Sequence, residues 1–206
     1  MLSANVCFID MTITSQKMVV KIVKKSTVAE NTLGLFLEKP ENFSYKAGQY
    51  ILLSVPQLTG KSLRESTHAM SLASAPFQDT LLLSMRISQS SFKQAIANMA
   101  IGDSLEITGP FGNLWPENND KPAVFIAAGI GIAPFHGIIE EQIQLGWPNS
   151  VTLFYADKTP QDTVFLEKFQ EIKNKNFVFV PTMTRLEEGK NSWNGEQGRI
   201  TSDLIQ

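Results

Sequence analysis

The sequence is poor in thiols: Cys7 is the one cysteine among 206 residues. That excludes an internal disulfide and any multi-cysteine zinc or iron–sulfur site, and makes a reducing compartment, the cytoplasm, the natural setting. Net charge is nearly absent as well. Eighteen Lys and Arg against 20 Asp and Glu give −2, so the electrostatic footprint of a nucleic-acid-binding protein is missing. No run reaches the ~18 consecutive apolar residues that a membrane span needs; the nearest, 122–135, is short and broken by glycine. Residues 1–10 lack the basic start of a signal peptide, and 1–15 read as a loosely attached extension. Met11 and Met18 would serve a later start, in which case Cys7 drops out. Repeats and low-complexity tracts are also missing.

The composition is that of a folded protein, 43% apolar and 18% charged, with chain enough for one large core or two small ones. Hydrophobic period divides it. Short apolar runs at 18–23, 32–37, 49–55, 69–73, 81–87 and 104–108 are punctuated by Gly, Pro, Asn and Asp, the pattern of an antiparallel six-stranded barrel. One helix is predicted within it at 90–99, where Ser90 can cap and Phe92, Ile96 and Met99 recur at helical spacing. From Lys121 the pattern changes. Strands predicted at 123–128, 151–156 and 177–183 alternate with helices at 133–145 and 162–173, which means βαβ units on a parallel sheet. Gly109-Pro-Phe-Gly-Asn-Leu-Trp-Pro116 and then the polar 117–120 read as the end of one domain and a linker to the next. The expected organisation is an extension at 1–15, a barrel at 16–118 and an α/β domain at 119–206.

Two motifs carry chemistry. In Pro122-Ala-Val-Phe-Ile-Ala-Ala-Gly-Ile-Gly-Ile-Ala-Pro134 a buried strand runs into a glycine turn and then a helix start. Glycine lets backbone approach an anion, and the first N–H groups of the helix point at it with the positive end of the dipole. Pro134 suits a first helical turn, where its missing N–H costs nothing. The plainer reading is that Gly129 and Gly131 only close a tight strand–helix turn. The other motif is His68-Ala-Met-Ser-Leu-Ala-Ser-Ala-Pro76, on its own a strand ending in a turn. His68 has no companion ligands for a metal, and His136, just inside a helix, reads as structural.

Taken in order, the second motif, Arg86, Ser90-Ser91-Phe92-Lys93, Gly109–Gly112, the glycine turn, and the tail Pro181-Thr-Met-Thr-Arg185, Trp193–Glu196 and Gly198-Arg-Ile-Thr201 resemble the ferredoxin–NADP reductase superfamily. The resemblance covers the chain from about Lys17 to its end. It implies an FAD-binding barrel followed by an NAD(P)-binding α/β domain. It further implies FAD contacts along His68, Met70, Ser71, Leu72 and Ala73, with the Ser71 hydroxyl on flavin N5, the atom that exchanges hydride. The helix at 90–99 would offer Ser90, Ser91, Phe92 and its free N–H groups to the FAD diphosphate. Gly129, Ile130, Gly131, Ile132 and Pro134 would seat the nicotinamide dinucleotide. Thr184-Arg185 stands where the family grips the 2′-phosphate of NADP, with Lys190 as an assistant and the acidic Glu187-Glu188 opposing; NADP is preferred over NAD.

Two positions depart from the family pattern. His68 replaces arginine, and Met70 replaces an aromatic that would stack on the flavin. Arg64 and Arg86 could supply the charge that His68 does not. In the family the sheet continues past a helix like the one starting near Thr201, with a further strand beside 123–128. With Gln206 the last residue, the sheet is expected to be incomplete and strand 123–128 to have an open edge. Three functions follow. The first is an FAD-dependent oxidoreductase between NAD(P)H and a one-electron carrier protein such as ferredoxin. The second is a truncated relative that binds flavin or nucleotide and turns over little, and the third an interaction module with an empty flavin site.

Overall fold

A computed structural model describes residues 16–58, 60, 62–115, 121–186 and 193–205. The extension at 1–15 with Cys7, the polar linker, Glu187, Glu188 and Lys190, and the Arg64 side chain lie outside the described residues.

The first part is β. Strands β1 (Gln16–Ala29), β2 (Thr32–Glu38), β3 (Tyr50–Ser54), β4 (Thr67–Ser71), β5 (Thr80–Arg86) and β6 (Ser104–Phe111) form an antiparallel sheet in the order β4-β3-β6-β1-β2-β5. Side chains alternate as the pleat requires. Ile51 and Leu53 of β3 point inward with Ile22, Leu37, Leu83 and Ile107, while Tyr50, Leu52 and Ser54 remain partly exposed. The sheet curls until its ends meet, where the Ala73 N–H, just beyond β4, donates to the Leu82 carbonyl of β5 at 2.7 Å.

A short helix α1 (Leu63–Ser66) precedes β4, and helix α2 (Ser91–Asn98) closes one mouth of the barrel. Ser90 caps α2, its side chain accepting from the Lys93 N–H at 3.4 Å. Phe92 and Ile96 are buried in the barrel core. At the other end the Lys25 ammonium of β1 donates to the carbonyls of Ile96, Ala97 and Met99 at 3.2, 2.6 and 2.8 Å. These bonds satisfy acceptors that a helix C-terminus leaves open. They also fix the helix so that its N-terminal turn meets β4, where the His68 ring stacks on Phe92 at 4.1 Å.

The second part is α/β. Strands β7 (Ala123–Ala128), β8 (Val151–Asp157), β9 (Phe177–Met183) and the short β10 (Glu196–Gln197) run parallel in the order β10-β9-β8-β7. A 3-10 turn at Gly129–Ile132 leads from β7 into α3 (Ala133–Gln144); α4 (Leu166–Glu171) links β8 to β9, and α5 (Ser202–Ile205) follows β10. Phe125, Ala127, Leu153 and Tyr155 join Ile138, Ile139 and Phe169 in a second core. The opposite face leaves Val124, Ile126 and Val178 57%, 53% and 49% exposed. Among the described residues β7 pairs only with β8.

Several boundaries differ from the sequence reading. The helix expected over 162–173 begins only at Leu166, because Asp162 is a turn residue: its N–H bonds Thr159 and its carboxylate faces the Thr159 hydroxyl and Arg86. Gly109–Phe111 belongs to β6 and pairs with β1 and β3 rather than starting a junction. β4 ends at Ser71, so Leu72 and Ala73 leave the strand. β10 has too few residues for a periodic signal and was not foreseen.

The two parts are held backbone to backbone. A Cβ added at Gly137 of α3 would lie 2.7 Å from the Ser74 carbonyl oxygen and 3.3 Å from that of Leu72. Only glycine permits that approach. Beside it Ala133, Ala73 and Leu82 form a small buried cluster.

Candidate active site

The free edge of β4 is set by alternation. The Leu72 N–H turns toward β3, donating to Gln49 O at 2.9 Å, and the Ala73 N–H turns the other way to Leu82. Ser71 and Ala69 therefore present their backbone groups on the same side as Ala73, away from β3, because strand residues alternate. The Ser71 hydroxyl, half-buried, has no hydrogen-bond partner among the described residues. Its cross-strand neighbour is Tyr50, whose ring lies 5.6 Å from Phe111. His68 and Met70 point to the opposite face, where His68 stacks on Phe92 and Met70 packs against the barrel core.

The N-terminus of α2 adjoins this strand. Ser91 is exposed, while the Ser90 oxygen is committed to its cap and Phe92 is 1% exposed in the core. Of these three residues, Ser91 and backbone N–H groups are left to face a ligand. Leu72 and Ala73 are 0% exposed. Leu72 sits in the barrel core, and both polar groups of Ala73 are bonded, the N–H to Leu82 and the carbonyl to His136.

A cleft of about 680 Å³ opens at the carboxyl ends of β7 and β8, lined by Ala128, Gly129, Asp157, Lys158, Thr184 and Arg199 among others. Gly129 adopts φ +51 to turn the chain into the helix. Gly131 is exposed, and a Cβ there would meet nothing within 4 Å. Ile130 packs against the second core and Ile132 is fully buried in it, while Pro134 occupies the first turn of α3. What the turn offers a ligand is backbone and space, as an anion seat requires. The Thr184 hydroxyl and N–H both bond the Asp157 carbonyl, at 3.0 and 2.8 Å, and the Arg185 N–H bonds Lys158. Both side chains stand exposed at the end of β9.

Arg86 is engaged through its guanidinium by acidic side chains. It reaches from β5 across the interface to Asp157 at 2.7 Å and Asp162 at 3.4 Å, and its guanidinium is 3.9 Å from where a Gly129 Cβ would stand. Burial pushes the Asp157 carboxyl up, against the Lys158 N–H bond and the Arg86 charge that pull it down. The fully buried Tyr155 hydroxyl lies 3.1 Å from the Gly129 carbonyl and 3.3 Å from Asp157, and accepts from the Val164 N–H. Burial and the neighbouring carboxylate raise its pKa.

Residues 16–128 match the FAD-binding domain family model, and 125–206 match the oxidoreductase NAD-binding domain model. The chain belongs to the ferredoxin–NADP reductase superfamily. A solved ferredoxin–NADP reductase from Neisseria gonorrhoeae, with bound FAD and NADP, superposes with a TM-score of 0.77 at 25% identity, over 92% of this chain and 75% of its own. An Amycolatopsis cytochrome P450 reductase, GcoB, gives 0.75 at 25%, over 93% and 58%. The reductase component DmpP of phenol 2-monooxygenase from Pseudomonas sp. strain CF600 is 26% identical over 173 residues, 81% of this chain and 47% of that protein. The chain spans about half the length of such curated relatives.

In this reductase superfamily member, the glycine turn leaves open space at Gly131, and β4 is an edge strand whose Ala69 and Ser71 backbone groups face away from β3, features that fit the two cofactors their domain models name. Sequence reasoning missed Asp157, Tyr155 and Asp162. Their signal was weak, since a Tyr and an Asp ending a strand carry no spacing of their own, and Arg86 finds them only through the fold. No helix among the described residues is long and apolar enough to cross a membrane.

Proposed function

We propose that this chain takes electrons from NAD(P)H into bound FAD and passes them singly to a small carrier protein such as ferredoxin. One observation carries the reading. The helix that grows from the glycine turn rests on Leu72–Ser74, the segment directly after Ser71, so the dinucleotide seat and the flavin strand share one rigid contact. When bound, FAD supplies the ring that accepts hydride and releases single electrons. Ser71 holds the reactive edge of that ring by its hydroxyl, and Ala69 and Ser71 present backbone groups to it. Ser91 and the first N–H groups of α2 face the FAD diphosphate. Gly129–Ile132 receives the dinucleotide diphosphate, and Thr184 with Arg185 receives the ribose end, where the exposed guanidinium favours NADP over NAD.

The division at 16–118 and 119–206 and a reducing, cytoplasmic setting belong to the same reading, the latter supported by the single cysteine. The histidine and methionine at His68 and Met70, where the family has arginine and an aromatic, favour one alternative, a relative that binds flavin or nucleotide and turns over little. Absorption spectra decide. Protein loaded with FAD and bleached anaerobically by NADPH supports the proposal. Yellow protein that neither NADPH nor NADH bleaches supports the alternative, and protein indifferent to FAD refutes both.

A further inference from the structure

We infer that His136 is a positioning residue: its bond to Ala73 sets the register between the flavin strand and the helix that seats the dinucleotide. The inference rests on the flavin–nucleotide reading above. His136 stands in the first turn of α3, 2% exposed, with Nδ1 2.6 Å from the Ala73 carbonyl oxygen. A carbonyl only accepts, so Nδ1 carries the hydrogen. Nε2 has no partner among the described residues, and the ring stacks on Phe165 at 3.9 Å.

The contact around it is nearly featureless. Ala133, Ala73 and Gly137 let the two backbones touch, which fixes their separation; the directed bonds of Arg86 to Asp157 and Asp162 leave from β5, not from the segment that follows Ser71. The His136 bond is directional, and it falls on a residue whose N–H is already tied to Leu82 across the barrel closure. Ala73 points its backbone to the same edge as Ser71, about 7 Å back along the strand. At its other end α3 grows from Gly129–Ile132. A slip at Ala73 therefore moves the Ser71 edge relative to the dinucleotide seat. An apolar residue would fill the His136 site with no unsatisfied nitrogen; the imidazole adds the directed bond.

The test compares His136→Phe, which keeps the ring stack and loses the donor, with His136→Asn, which returns an N–H near the Nδ1 position. His136→Phe should retain FAD and bind dinucleotide as the parent does. Its anaerobic bleaching by NADPH should slow by about tenfold or more, the scale on which small misplacements cost transfer steps, and His136→Asn should recover most of the rate. Should the Phe variant fail to fold, His136→Gln, with its donor displaced, should show the same slowing. In cofactor-free protein, nitrogen NMR of the imidazole should report a neutral ring protonated at Nδ1. Bleaching of His136→Phe at the parent rate, or a ring protonated at Nε2, overturns the inference alone. A parent protein that NADPH and NADH both fail to bleach overturns the flavin–nucleotide reading, and this inference with it.

Discussion

Arg86 Nη2 lies 2.7 Å from Asp157 Oδ2, joining the last residue of β5 in the barrel to the last residue of β8 in the parallel sheet. The Asp157 side chain is 3% exposed and that of Arg86 23%. Replacing Arg86 by Met strands a buried carboxylate, and urea denaturation should show a loss of about 3 kcal/mol. The double variant Arg86→Met, Asp157→Asn should be more stable than Arg86→Met alone, because the stranded charge is gone.

Burial, reinforced by the nearby Lys168 charge, lowers the His136 pKa from 6.5 to about 4, against the Ala73 bond and Glu140, which raise it. The unfolded chain therefore binds a proton at this residue below pH 6.5, where the folded chain does not. Stability rises with pH between about 4 and 6.5 and is lost as pH falls through that window, by about 3 kcal/mol in all. In His136→Asn this part of the slope should vanish. Denaturation midpoints of parent and variant at pH 4.5 and 7 check it.

Gly131 and Gly137 should respond in opposite ways to alanine. At Gly137 the new methyl meets backbone oxygen at 2.7 Å, so Gly137→Ala should cost about 1–3 kcal/mol by overpacking. At Gly131 the methyl meets no protein atom within 4 Å. Stability should hold, while dinucleotide affinity, followed by calorimetric titration, should fall about tenfold as the methyl enters the seat.

Lys25→Met removes the donor to three carbonyls at the end of α2. The expected loss is about 1–2 kcal/mol, accompanied by weaker FAD binding as α2 loosens. Ser71→Ala should leave the fold intact and slow bleaching by NADPH about tenfold or more, a separation that rapid-mixing absorbance measures.

How far the sequence was legible depended on the range of each interaction. Short apolar runs such as 81–87 and the strand–glycine–helix order at 123–134 are local, and both elements stand within a residue of the places expected. The pairing of Arg86 with Asp157, 71 positions away, is written nowhere locally. Neither is the contact of His136 with Ala73, which arises only when α3 is laid on the barrel. Leu72 is buried in the barrel core, and Ala73 is buried against α3, a contact no local pattern announces. Asp162 misled the helix prediction because a residue suited to start a helix is here spent on a turn and on Arg86. Elements set by local pattern are legible in the sequence, and contacts made where the two parts meet are not.

The most direct test of the account is anaerobic rapid mixing of the FAD-loaded chain with NADPH carrying deuterium at the transferable position of its nicotinamide. The account predicts loss of the yellow flavin absorbance, slower with deuterium than with hydrogen. A chain that retains FAD yet keeps its colour in excess NADPH and NADH would contradict it.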